Sequence, residues 1–319
     1  MKRRFEFSVD ETAIGKRMDY FLLDRLNTDR NFSVSRKSVR KMIEGGNVFL
    51  NRHRAKITTI TLALDDKISL QIDPKQLKQK DIHISFELTE DRIVYEDASI
   101  IVLNKPAGLP TQGTLDPSRD HLFAAVQRFL KQRNPSREIY VGLHHRLDRD
   151  TSGLVLMTKK KSANKAVSEI FANREALKEY VAICHKNPDF DKPRWSVRNH
   201  LARSKNHRMQ MEEVQAGGDQ AITTFKLAKD YGNILLVEAK PKTGRMHQIR
   251  VHLAGLGMPI IGDTIYCPIE KDKALDKKPK RCMLHAARLT FPHPVSKKLL
   301  CLEAPLPADF RSYLNLQNR

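Results

Sequence analysis

His144-His145-Arg146-Leu147-Asp148-Arg149-Asp150-Thr151-Ser152-Gly153 runs directly into the apolar segment Leu154-Val155-Leu156-Met157. An apolar run bounded by Thr-Ser-Gly predicts a buried strand, with Asp148 at its mouth. A side chain at a strand end is placed more closely than one on a free loop. Arg146 and Arg149 flank the carboxylate and favour its ionised form. The same residues also describe an ordinary strand-end salt bridge, and taken alone they leave both readings open.

The chain has 319 residues, enough for one large or two ordinary domains. Forty percent hydrophobic and 29% charged residues make a soluble globular composition. No segment reaches the roughly 20 apolar residues that cross a bilayer. The start, Met1-Lys2-Arg3-Arg4, has no apolar segment behind it, so its paired arginines are not an export signal and a cytoplasmic location is expected. The formal net charge of +20 points to nucleic acid as partner, with an anionic membrane surface as the alternative. Residues 30–56 carry eight basic residues against one acid, Glu44. Those charges fall on a predicted helix, turn and strand, without the broad apolar face of a membrane-bound helix. Nucleic acid is therefore favoured and no membrane partner is expected. Cys184, Cys267, Cys282 and Cys301 are far apart, and His247 and His252 do not share one helix face. No metal site is expected.

Residues 18–26 have helical spacing, and Ser35 is placed to cap a second helix over 36–44, ended by Gly45-Gly46. Residues 48–51 read as a strand and turn, and 68–72 as another strand. This order resembles the S4 RNA-binding domain, with its pattern Ser-Arg, Ile, Gly-x-Val-x-x-Asn. The resemblance implies RNA contacts by Arg36, Lys37, Arg40, Lys41 and Arg52. Arg52 follows Asn51 where the S4 pattern has glycine. The expected organisation is a small S4-like α/β domain over 1–72, a polar linker over 73–84 and a catalytic domain over 85–319. In the last, strand-like runs at 100–103, 154–157, 180–184, 234–238 and 299–302 alternate with helical patterns at 121–132 and 162–173. The fold class is α+β: a large, mixed, mainly antiparallel sheet with flanking helices. Residues 271–280 read as a charged, mobile insertion.

Further segments join the Asp148 stretch: Asn104-Lys105-Pro106-Ala107-Gly108, Lys178-Glu179-Tyr180, Thr243-Gly244-Arg245-Met246-His247-Gln248-Ile249-Arg250, Gly262-Asp263-Thr264-Ile265-Tyr266 and Leu284-His285-Ala286. In this order they closely resemble the pseudouridine synthases of the Rlu branch, the RluA family, over about residues 90 to 305. The N-terminal S4-like domain is similar to that of members that modify large-subunit ribosomal RNA. The resemblance implies isomerisation of uridine: the N1–C1′ bond breaks, the base turns and C5 rejoins. Nothing leaves in that reaction, so neither cofactor nor metal is expected.

As the resemblance implies, Asp148 attacks C1′ or C6 or takes the ribose 2′ proton, and the residues do not choose among these. Arg245, in Thr-Gly-Arg, is its expected ion-pair partner, because burial alone would raise the carboxyl's pKa. Arg146 is expected to fill the space left by the everted base, and Tyr180 to stack on the uracil. Ile249 closes the pocket as an apolar wall, while Lys105 and Arg250 contact substrate phosphate or support the site. His247 is expected to be a hydrogen-bonded supporting residue with no acid–base role. The expected partner is ribosomal RNA or a ribosome assembly intermediate, bound by a monomer. Transfer RNA is the alternative substrate, and a non-catalytic RNA-binding or assembly factor the alternative class. A glycoside hydrolase would need a second carboxylate, for which Asp150 is the near candidate.

Overall fold

The computed structural model describes residues 3–28, 32, 34–72, 85–114, 119–207, 210–273, 275 and 279–316. The chain divides after residue 84 into two units. The linker expected over 73–84 lies outside the described residues. The first unit contains β1 (Arg3–Ser8), α1 (Met18–Thr28), α2 (Arg36–Glu44), β2 (Val48–Leu50), β3 (His53–Ala55) and β4 (Lys67–Ile72), with sheet order β1-β4-β2-β3. Met18, Phe21, Leu22 and Leu26 repeat at helical spacing, so α1 buries one stripe against Val39, Ile43, Val48 and Leu70. The Ser35 hydroxyl accepts from the Ser38 amide and starts α2. Between β2 and β3 the two turn residues Asn51 and Arg52 both have left-handed backbones, φ 48° and 71°. Asn visits that region readily; Arg52 does so at a cost of about 1 kcal/mol, where the S4 pattern has glycine.

The second unit contains β5 (Ile93–Glu96), β6 (Ile100–Lys105), α3 (Leu122–Arg133), β7 (Gly142–Leu143), β8 (Ser152–Thr158), α4 (Asn164–Ala172), β9 (Leu177–His185), β10 (Arg194–Arg203), β11 (Met211–Val214), β12 (Asp219–Asp230), β13 (Ile234–Pro241), α5 (Gln248–Gly255), α6 (Ile269–Lys273), β14 (Leu284–Pro292), β15 (Leu299–Glu303) and α7 (Ala308–Leu316). An 11-stranded sheet runs β11-β10-β12-β13-β9-β14-β8-β6-β5, with β15 on β14 and β7 on β8. The described pairings are antiparallel except β8 with β14. Every residue of β8 is buried, because both faces of the sheet are covered there. Leu103, Val155 and Met157 face α3, while Val102, Leu154 and Leu156 face the other way, toward Val167 and Ile170 of α4. On α3 the apolar residues Leu122, Ala125, Val126, Phe129 and Leu130 form the stripe that meets them. A third cluster packs α5 and α7 against β9 and β13. The insertion expected to be mobile begins instead with the helix α6, anchored by buried Asp272.

The short parallel stretch of β8 and β14 requires a glycine. Gly153 has φ +116° and pairs with Ala286, and an added Cβ would lie 2.2 Å from the Ala286 carbonyl oxygen. Gly153→Ala is expected to lower stability by at least ~2 kcal/mol, seen as a fall in the urea midpoint at unchanged slope. A midpoint equal to the parent's would show that β8 can slide away from β14.

Two buried histidines also tie the sheet together. His285 Nδ1 pairs with the Ser152 hydroxyl, and its Nε2 lies 3.3 Å from the Ala304 carbonyl oxygen. His252 bridges Thr223 and Asn199. Burial pushes both imidazoles down to about 4. The unfolded chain therefore takes up these protons first as pH falls, so their contribution is complete above the ordinary histidine range and is lost on acidification. At pH 5 each costs the fold about 2 kcal/mol. These two alone should lower the unfolding free energy by about 4 kcal/mol between pH 7 and pH 5, and His145, pushed down to about 3, adds to the fall; a flat denaturation profile over that interval would contradict the neutral assignment.

Candidate active site

Asp148 sits on the turn entering β8, and the peptides on either side of it are held from within. Buried Thr111 donates its hydroxyl to the Leu147 carbonyl at 2.7 Å and accepts the Leu147 amide at 3.1 Å. The Lys105 ammonium donates to three backbone carbonyls, those of Pro106, Leu109 and Arg149, at 2.7–3.0 Å. Lys105 is fully buried, so it is not the substrate contact expected from the sequence. A cation at the end of β6 is a loop charge on paper, but its three N–H groups here match three carbonyls that the turn leaves open. Burial presses its pKa to about 7, against the opposing pull of Asp150 and Asp148. Its role is to pin the Asp148 turn.

Arg245 does not pair with Asp148. It donates to the Gln220 carbonyl and lies 3.4 Å from Asp219, both exposed on β12. The partner is Arg250, whose Nη1 is 3.2 Å from Asp148 Oδ2. Arg245 precedes α5, in a turn reversed by the left-handed backbone of His247 (φ 56°), and reaches the start of β12. Arg250 lies inside the first turn of α5, whose axis aims it at the strand mouth. Asp263 fixes the guanidinium with two bonds of 2.7 Å, to Nε and Nη2. Asp263 is itself buried and also accepts the Ile265 and Tyr266 amides. Burial works to raise the Asp263 carboxyl, but Arg250 outweighs it and holds the group below the usual range. The sequence quoted Asp263 within Gly262–Tyr266 without a role; a carboxylate in a second motif, able to match a second arginine, was the available signal.

Asp148 opens onto a cavity of about 650 Å³ and is the single carboxylate among the lining residues. Tyr180 and Ile249 line it, as do Arg146 and Lys178. The structure thus brings together Asp148, Tyr180, Arg146, Ile249 and Arg250, while Arg245 lines the rim engaged elsewhere. Among the described residues the Tyr180 hydroxyl has no hydrogen-bond partner, and burial, helped by the Asp148 charge, pushes its pKa up. Arg146 is exposed and likewise unpartnered. The Tyr266 hydroxyl accepts the Met211 amide and also pairs with His247 Nδ1 at 2.9 Å. The other ring nitrogen, Nε2, lies 3.7 Å from Asp148 Oδ2. Burial lowers the His247 pKa, with Asp148 opposing.

Apart from this cavity, His185, Cys267 and Asp272 gather three donor atoms within 4.8 Å of one another. Asp272 accepts from the His185 Nε2 at 2.9 Å and from the Cys267 thiol at 3.5 Å, so the cluster is already satisfied by its own hydrogen bonds. In the first unit, Asp19 is fully buried and accepts from Arg17, Arg36 and Arg40. Two of the five arginines and lysines expected to meet RNA are therefore engaged inside the unit. Arg36 also lies 3.8 Å over the Tyr20 ring. Lys37, Lys41 and Arg52 are exposed and have no side-chain partner among the described residues.

The two arginine pairs separate in energy. Asp263→Asn breaks a buried bidentate pair and should cost ~3–5 kcal/mol, whereas Asp219→Asn removes an exposed partner and should cost under ~1 kcal/mol. Denaturant titration of both variants measures the contrast, and equal losses would refute the assignment of Arg250 as the held guanidinium.

Residues 99–255 match the family model described as RNA pseudouridylate synthase. Ribosomal large subunit pseudouridine synthase C of Buchnera aphidicola subsp. Schizaphis graminum is 31% identical over 317 residues, covering 96% of this chain and 95% of that protein. Ribosomal large subunit pseudouridine synthase D of Borreliella burgdorferi is 30% identical, over 89% and 84% of the two chains. Among solved structures, human RNA pseudouridylate synthase domain containing 4 superposes with a TM-score of 0.59 at 26% identity, covering 72% of this chain and 93% of that one. A carboxylate at a strand mouth, gripped by an arginine above a cationic cavity, thus lies in a chain that belongs to the RNA pseudouridylate synthase family.

Proposed function

We propose that this protein isomerises specific uridines of large-subunit ribosomal RNA, with Asp148 as the reacting carboxylate. The observation that carries the reading is the placement of Asp148, the one carboxylate of a cavity otherwise lined with cations, apolar walls and an aromatic. The names of the relatives support ribosomal RNA as the substrate class. Family membership makes the protein an isomerase acting on RNA.

The target uridine must leave its stack to reach Asp148, at a cost of a few kcal/mol. Exposed Arg146, two residues before Asp148, takes the place of the everted base. Tyr180 offers its ring to the uracil, a contact worth roughly 1–3 kcal/mol, and its free hydroxyl faces the same space. Ile249 closes the wall beside it. Arg250 holds Asp148 oriented, which suits attack at C1′ or C6 or removal of the 2′ proton equally. His247 stands with its Nε2 toward the same oxygen. The first unit, with its helix α2 and exposed Lys37, Lys41 and Arg52, is an S4-like RNA-binding domain that supplies phosphate contacts. No helix among the described residues is long and apolar enough to cross a membrane.

Asp148→Asn should abolish pseudouridine formation while RNA affinity stays within about threefold of the parent. The measurement is pseudouridine mapping of ribosomal and transfer RNA from cells carrying the parent, the variant or no copy of the gene. A site lost from ribosomal RNA in the latter two supports the reading. Loss confined to transfer RNA overturns the substrate class, and turnover by the variant overturns the role of Asp148.

A further inference from the structure

Four cations of the cavity have no side-chain partner among the described residues: Arg146, Arg174, Lys178 and Lys242. Three are exposed and keep their hydration. Lys178 is not: it is half-buried on β9, two residues from Tyr180 and therefore on the same face of the strand. Its ammonium lies beside Gly244, where an added Cβ would sit 3.5 Å from Nζ, so the lack of a side chain there leaves the charge open to the cavity. Burial pushes its pKa below the ordinary lysine range with no opposing carboxylate. A partly desolvated charge held without a partner is costly, and folds tolerate it where a ligand completes the pair. The cavity, at about 650 Å³, has room beyond a single nucleotide's base and sugar, and Asp148 is already taken by Arg250.

We infer that Lys178 receives a backbone phosphate next to the everted uridine, and so fixes how deeply that nucleotide seats between Tyr180 and Asp148. The inference rests on the uridine-isomerising reading and adds a binding contact to it. A phosphate oxygen on an ammonium forms a charge-assisted bond of the stronger kind. Such a bond gains further where water is thin, as around the half-buried Lys178. Placed on the strand that carries Tyr180, the contact sets the backbone and the base from one rigid element.

The test compares the full chain with its Lys178→Gln variant, on a synthetic fragment of large-subunit ribosomal RNA spanning a uridine the parent converts. Two further fragments carry a neutral methylphosphonate in place of the phosphate on the 5′ or the 3′ side of that uridine. The variant should bind the natural fragment about tenfold more weakly than the parent. One of the two neutral replacements should cost the parent a similar factor and the variant less than about twofold, since the contact is already gone. The free variant should melt at or above the parent, because an uncompensated charge has been removed. Unchanged affinity overturns the inference, as do losses that multiply at both positions. A lower melting temperature does so too, marking the amine as part of the fold's own bonding. Fragments are first scored for pseudouridine: a parent without turnover defeats the functional reading and this inference with it, whereas turnover with the wrong binding pattern defeats only the role of Lys178.

Discussion

A guanidinium buried in protein is tolerated only when its charge and its donors are met, and the site is organised around one such group. Arg250 gives Nε and Nη2 to Asp263 at 2.7 Å, which leaves Nη1 for Asp148 at 3.2 Å. The tighter pair is the structural one and the looser pair the exposed, reacting one. Asp263 thereby does for Arg250 what a fixed ligand would do: it sets the direction of the one donor that reaches the cavity. The arrangement joins three separate segments, the start of α5, the loop before α6 and the turn into β8. Displacing any one of them misdirects the carboxylate.

Net charge at this centre is also decided here. Two carboxylates share one guanidinium, so the local sum is negative at the floor of a cavity rimmed by cations. Cations frame the opening, while Asp148 is held by Arg250 through Oδ2 alone. His247 fits the same economy. Tyr266 holds its Nδ1 and burial lowers its pKa, so its Nε2 edge stands 3.7 Å from Asp148.

The sequence made the central strands legible because β6 and β8 are buried on both faces and carry uninterrupted apolar runs, as β9 and β13 do in part. It did not make β10, β11 and β12 legible, since their outer faces carry Arg194, Arg198 and Glu212 and break every run. Trp195, Val197 and Leu201 alternate with those charges, so the period-2 signal was present beneath the polar residues. Asp148, Tyr180, Ile249 and Arg146 were legible as a set through motif order. The choice between Arg245 and Arg250 was not, because it depends on where α5 begins and on a left-handed residue that propensity does not foretell. Of the two roles open to Lys105, substrate contact or support, the choice was hidden for a similar reason. Its burial follows from three backbone carbonyls that converge only when β6 and the turn into β8 are in place.

The same distinction between a charge in the sequence and a charge available to a ligand applies to the first unit. Its basic stretch reads as a row of phosphate contacts, yet Asp19 collects Arg17, Arg36 and Arg40. Burial works to raise that carboxyl and the arginines outweigh it, holding it below the usual range. A buried carboxylate facing three guanidinium groups locks α1 to α2 and fixes one side of each arginine head. The arginines are therefore positioned donors, while Lys37 and Lys41 are flexible, fully hydrated charges on the outer side of α2. Such a surface suits the regular geometry of an RNA backbone, with rigid forks for phosphate and mobile ammonium groups to follow its irregularities. Counterion release should then scale with the lysines and with the free part of each arginine, and fall short of the full basic count of the stretch.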